Sequence, residues 1–245
     1  MPEKNTKPGP LIAIVGCDGS GKSTVAEQII ITAAEFSPAI AVHLGKQAGN
    51  VGRNLAQLPL IGKYIERLIE RKVAKVHQSG KKNKTPGVIS SLVMYAFVIR
   101  RKARFRRMLQ LREQGLIIVA DRFPQLDVPN AYDGPDLSID AQGNFIVRWL
   151  ARREFNAFKW MTANVPDLVI RLNVDVETAC ARKPDHPREL LQRKIEVTPL
   201  FKFNGAPIIE IDSLQPLEQV LLQTKQRVSE FLTERGFTKS IQNSD

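Results

Sequence analysis

The chain has 245 residues, 43% of them hydrophobic, with 36 Lys and Arg against 25 Asp and Glu and a net charge of +11. That size and composition fit one globular domain with a full core. Two cysteines, Cys17 and Cys180, argue against a disulfide framework and for a reducing compartment, so a cytoplasmic setting is expected.

Residues 1–9 are polar and Pro-rich, a flexible lead-in without the apolar core of a signal peptide. The apolar run Leu11-Ile12-Ala13-Ile14-Val15 predicts a buried strand. Gly16-Cys17-Asp18-Gly19-Ser20-Gly21-Lys22-Ser23-Thr24 then fits G-x-x-x-x-G-K-[ST], the phosphate loop that joins a strand to a helix. Its glycines allow the tight turn that aims successive N–H groups at phosphate oxygens, and the following helix adds its positive end. Lys22 is expected on the β- and γ-phosphates of a nucleoside triphosphate and the Ser23 hydroxyl on Mg²⁺. Gly16, Asp18, Gly19, Ser20, Gly21, Lys22, Ser23 and Thr24 form the expected ATP-binding stretch.

Further strands are predicted at 40–44, 116–121, 168–174 and 207–211, each short and rich in Val, Ile or Leu. Helices are predicted at 22–36, 58–78, 88–114, 145–163, 175–183, 187–196 and 215–235. The alternation implies an α/β fold: a three-layer sandwich with a five-stranded parallel sheet and helices on both faces. One domain is expected over 10–236, with a flexible tail over 237–245. Ligands of such sheets bind at the carboxyl ends of the strands, which gathers Gly16, Asp121 and the loops after 44 and 174 on one rim.

From Arg71 to Arg107 the chain carries twelve Lys and Arg and no Asp or Glu. This block is a solvated helical face, an anion site, or a surface for nucleic acid or acidic lipid. The run Val88 to Ile99 before its densest part is twelve residues long, too short to span a bilayer, so no transmembrane segment is expected.

The strand Ile117-Ile118-Val119-Ala120 ends in Asp121-Arg122-Phe123. A carboxylate at that position can hold Mg²⁺ directly or through its waters, and an adjacent guanidinium can clamp a phosphate.

Together these features resemble the thymidylate kinase family of P-loop nucleoside monophosphate kinases. Asp121-Arg122-Phe123 is similar to the family's Asp-Arg-Tyr signature, and Val165-Pro166-Asp167-Leu168 to its Pro-Asp-Leu strand. The resemblance implies that Asp18 meets the acceptor sugar, that Arg100 and Arg122 hold the acceptor phosphate, and that Arg182 packs on the donor adenine. It also implies a short basic lid at about 183–194, in which Arg188, Arg193 and Lys194 can stabilise charge on the transferring group. Lys22, Asp18, Arg122 and Arg188 are thus the expected catalytic set. The chain departs from the family after the second strand, where Leu44-Gly45-Lys46-Gln47-Ala48-Gly49 replaces Arg-Glu-Pro-Gly-Gly. After Phe123 it carries Pro124-Gln125-Leu126-Asp127 and lacks the family's Ser-x-x-Ala-Tyr-Gln. The implied activity is transfer of the γ-phosphoryl group of ATP, with Mg²⁺, to a nucleoside monophosphate, dTMP first. Two alternatives stay open: a kinase of a nucleoside or sugar, and a non-catalytic nucleotide-binding protein. A nucleotide substrate is the expected partner; a homodimer is a further option.

Overall fold

The computed structural model describes residues 7–45, 86–139 and 144–239. The helix expected at 58–78 and the basic residues 71–85 lie outside the described residues. By spatial proximity the described residues divide into two compact units: 7–45, 103–135 and 158–239 form one, and 86–102 with 136–139 and 144–157 form the other.

The first unit holds a five-stranded sheet of β1 (Leu11–Gly16), β2 (Ala39–His43), β3 (Ile117–Asp121), β4 (Leu168–Asn173) and β5 (Ile208–Asp212). All neighbouring pairs are parallel, in the order β2-β3-β1-β4-β5. β1 is central and every residue of it is buried, as a continuous apolar run requires in a sheet covered on both faces. The edge strands β2 and β5 are only partly buried. Helices α1 (Lys22–Ala34), α2 (Val88–Glu113), α3 (Phe145–Thr162), α4 (Val176–Arg182), α5 (Arg188–Val197) and α6 (Leu217–Glu234) complete the described elements, with short 3₁₀ turns at Thr198–Leu200 and Phe203–Gly205. The expected α/β fold and its parallel sheet are thus observed, and strand and helix limits agree to within a few residues.

The core of this unit joins Val25, Ile29 and Ala33 of α1 and Val220, Val228 and Leu232 of α6 to Ile12, Ile14, Ile170 and Ile211 of the sheet. Each of the Val, Ile and Leu side chains, fully buried, contributes about 1.5–3 kcal/mol. At the amino ends of the strands Asp167 accepts from Leu11 N (2.8 Å), Arg112 (2.6 Å) and Arg235 (2.9 Å), tying β1, α2 and the end of α6 to the start of β4. On β4 the buried Arg171 pairs with its register partner Glu210 at 2.7 Å and donates to the carbonyls of Pro199 and Phe201, which anchors the 3₁₀ turns to the sheet. A string of edge-on rings runs Trp160–Phe105–Phe123–Phe203–Phe201–Tyr132, with centroids 5.1–6.2 Å apart.

In the second unit Leu137, Leu150 and Ala151 pack with Met94 and Tyr95. The buried Glu154 accepts from the backbone N–H groups of Asp136 and Leu137, both at 2.9 Å. Between the helical segments a cavity of about 210 Å³ is lined by Tyr95, Val98, Ile99, Lys102, Arg153, Asn156 and Ala157. Among the described residues no helix is long and apolar enough to cross a membrane.

Candidate nucleotide site

The phosphate loop links the buried end of β1 to α1. Gly19 takes φ +87°, and a Cβ there would sit 2.9 Å from the Ala179 carbonyl oxygen, so both backbone and space require glycine. α1 begins after Gly21 with no side-chain cap and no acidic residue in its first turn. Its first N–H donors are therefore left for an anion, at the positive end of the helix. The Ser20 hydroxyl is buried and has no hydrogen-bond partner among the described residues. Ser23 and Thr24 are exposed at the start of the helix.

Lys22 folds back over the loop and donates to the Cys17 carbonyl at 2.5 Å. Burial pushes its ammonium down, while Asp18 and Asp121 act in the opposite direction. The donor that the motif assigns to phosphates thus bonds a backbone carbonyl of its own loop.

Asp18 is the electrostatic centre of the site. Arg122 donates to its Oδ1 at 2.9 Å and Lys194 to its Oδ2. Burial alone would raise the Asp18 carboxyl, but the bonded Lys194, with Lys22 and Arg122, holds it well below the usual carboxylate range. Lys194 comes from α5, whose inner face packs Leu191 and Ile195 against Cys17, Val174, Ala179 and Cys180. It also lies 5.9 Å from the Tyr132 ring, and the Tyr132 hydroxyl is 2.6 Å from Thr198 Oγ1. Burial raises both the Tyr132 phenol and the Cys17 thiol, so both stay protonated near neutrality.

β3 lies directly beside β1, with Ile14 opposite Asp121, so the strand-end carboxylate stands next to the phosphate loop as the sequence predicts. Asp121 Oδ2 is 2.9 Å from His43 Nδ1, whereas its Oδ1 is buried with no hydrogen-bond partner among the described residues. Burial would raise this carboxyl; the His43 bond, Lys22 and Arg122 keep it below its ordinary value. A carboxylate oxygen without a hydrogen-bond partner among the described residues suits a hard cation such as Mg²⁺, which takes one or two carboxylates plus phosphate oxygens. Arg122 adopts φ +58°, a left-handed conformation uncommon for a non-glycine residue and costly by about 1–3 kcal/mol. That turn accompanies its reach to Asp18. Burial lowers its guanidinium, but Asp133, Asp18 and Asp121 together raise it, so it stays charged.

Arg182, at the end of α4, donates to the Gly19 carbonyl (3.2 Å) and the Ser213 carbonyl (3.0 Å), bracing the loop from the β5 side. Arg188 instead forms an exposed ion pair with Glu177. Arg193 is exposed on α5. Of Arg188, Arg193 and Lys194, it is Lys194 that the described contacts place on Asp18 of the loop. Arg100 is exposed on the part of α2 that belongs to the second unit. His43 was not singled out by sequence. Its signal is a lone polar residue ending an apolar strand, at the end of the sheet where ligands bind.

No protein-family model matches the chain. Two Escherichia coli K12 proteins are similar along nearly their whole length. The uncharacterized ATP-binding protein YghS is 42% identical over 218 residues, 89% of this chain and 91% of its own. The uncharacterized ATP-binding protein YghR is 38% identical over 229 residues, 93% of this chain and 90% of its own. Their names carry ATP and no phosphoryl acceptor. With a phosphate loop ordered between β1 and α1 and relatives of this closeness, the chain belongs to the family of the ATP-binding proteins YghS and YghR.

Proposed function

We propose that the protein is an ATP- and Mg²⁺-dependent phosphotransferase whose acceptor is already phosphorylated, a nucleoside monophosphate with dTMP as the first candidate. The observation that carries this reading is the Asp18 carboxylate held between Arg122 and Lys194 at the phosphate loop. A carboxylate locked in its ionised form is a weak proton acceptor, and an alcohol acceptor gains most from a base whose affinity for the proton is near the working pH. An acceptor phosphate needs no such base.

In this reading the Lys22 ammonium and the open α1 N-terminus hold the donor phosphates. Ser23 and Asp121 would hold Mg²⁺, which when bound offsets charge on the phosphate oxygens. Arg122 positions the acceptor phosphate, and Asp18 orients both Arg122 and Lys194 before substrate arrives. Lys194 stabilises charge on the transferring group once an anion competes with Asp18 for it. Arg182 braces the loop where the donor nucleotide sits. Positioning and charge account for the transfer, with little demand for covalent chemistry by the protein.

The test is ADP release from MgATP against a panel of nucleoside monophosphates, nucleosides and sugars, with Lys22→Ala as control. Turnover restricted to phosphorylated acceptors is expected. Turnover only with an unphosphorylated alcohol would remove the acceptor assignment. Absence of turnover across the panel despite ATP binding would point to a non-catalytic nucleotide-binding protein.

A further inference from the structure

His43 ends β2 and faces Asp121 across the sheet as its register partner. The two strand ends are joined twice: by the ring nitrogen on the carboxylate at 2.9 Å, and by Leu44 N donating to the Asp121 carbonyl, also at 2.9 Å. An ionised carboxylate only accepts, so Nδ1 carries the proton in this contact. The bond uses one Asp121 oxygen and leaves the other, buried, without a partner among the described residues. The ring is confined from behind: a Cβ on Gly45 would lie 2.7 Å from His43 Nε2 and 2.5 Å from Arg122 Cδ. Glycine at 45 therefore leaves room for both the imidazole and the arginine stem.

We propose that His43 is a positioning residue for Asp121: its Nδ1–H fixes the carboxylate so that Oδ1 is presented to the Mg²⁺ of the bound nucleotide. The inference rests on the reading of Asp121 as a metal-holding residue. A carboxylate at a strand end can rotate about its Cα–Cβ and Cβ–Cγ bonds, and a free rotor spends much of its time bonded to the nearby cations Lys22 and Arg122. A donor fixed on the neighbouring strand removes that freedom and reserves one oxygen for the metal. Partners of metal-holding side chains typically change metal affinity by roughly 10–100-fold when removed.

The experiment measures ATP affinity by calorimetry with Mg²⁺ and again with EDTA, and takes the ratio as the metal's contribution. Four variants are compared with the parent chain: His43→Ala, His43→Asn, His43→Gln and Asp121→Asn. Asn places an amide donor near the position of Nδ1, and Gln places it near that of Nε2. His43→Ala and His43→Gln are expected to lower the ratio roughly tenfold, with ATP affinity in EDTA unchanged. His43→Asn should recover most of it, and Asp121→Asn should lose at least as much as His43→Ala. If Asp121→Asn lowers the ratio and the His43 variants do not, the positioning role is overturned and the metal reading stands. Should Asp121→Asn leave the ratio intact, the metal reading fails and the proposal with it. An equal loss of ATP affinity with and without Mg²⁺ in all three His43 variants would show a merely structural role and overturn it as well.

Discussion

At the scale of single residues, Asp18 decides how the site behaves. Two cations converge on it, and a third, Lys22, lies in its field. If the chain is the phosphotransferase proposed above, replacing Lys194 by Met removes the ammonium assigned there to the transferring group, and turnover is expected to fall roughly a hundredfold or more. ATP affinity should change only a few-fold, which separate equilibrium titration and steady-state rates would reveal. Lys22→Ala is expected to weaken ATP binding itself, because the donor lost is the one the phosphate loop aims at the nucleotide. The pH dependence of stability follows from the direction of the Asp18 shift. Its carboxyl is held below the ordinary value of 3.8, so its ionised form stabilises the fold above about pH 4, and that contribution is lost as pH falls through the folded value. Unfolding temperatures measured from pH 5 downward should fall less steeply in Asp18→Asn than in the parent chain. Asp18, Lys22 and Arg122 were all legible in the sequence because motif and strand end mark them. His43 was not, because its role depends on a carboxylate 78 residues away.

At the scale of elements, the phosphate loop and the stitched amino ends of the strands make separable predictions. Gly19 sits at positive φ against the Ala179 carbonyl. Gly19→Ala is expected to cost about 1–3 kcal/mol from backbone strain alone, read as a lower unfolding temperature, together with weakened ATP binding. Asp167 lies at the amino ends of the parallel strands, at the opposite end of the sheet from the loop, with three donors on its carboxylate. Asp167→Ala leaves Arg112 and Arg235 without their carboxylate and Leu11 N–H without its acceptor. Arg235 is 45% exposed, so the loss should sit below that of a fully buried pair, at about 2–3 kcal/mol. ATP affinity of the folded variant should match the parent, which chemical denaturation and titration together would show. The element limits were legible because continuous apolar runs mark strands buried on both faces and Gly115 and Gly236 mark helix ends. The 3₁₀ turns after α5 were not, since they are held by Arg171 of a distant strand.

For the whole molecule, binding should be visible as stability. A ligand at a hundred times its dissociation constant adds about 2.7 kcal/mol to the form that binds it, so MgATP should raise the unfolding midpoint of the parent chain and leave that of Lys22→Ala nearly unmoved. The sequence by itself determined the α/β class, the phosphate loop and the strand-end Asp121-Arg122. These are local properties: a periodic apolar pattern and a contiguous motif carry their own physical instructions. Only the tertiary structure decided which cation of 188–194 meets Asp18, Lys194 and not Arg188, and that β3 stands beside β1 so that His43, Asp121 and Asp18 gather on one rim. Those pairings join residues 78 to 176 positions apart, and contacts of that range arise from strand order and helix packing, which no local pattern encodes.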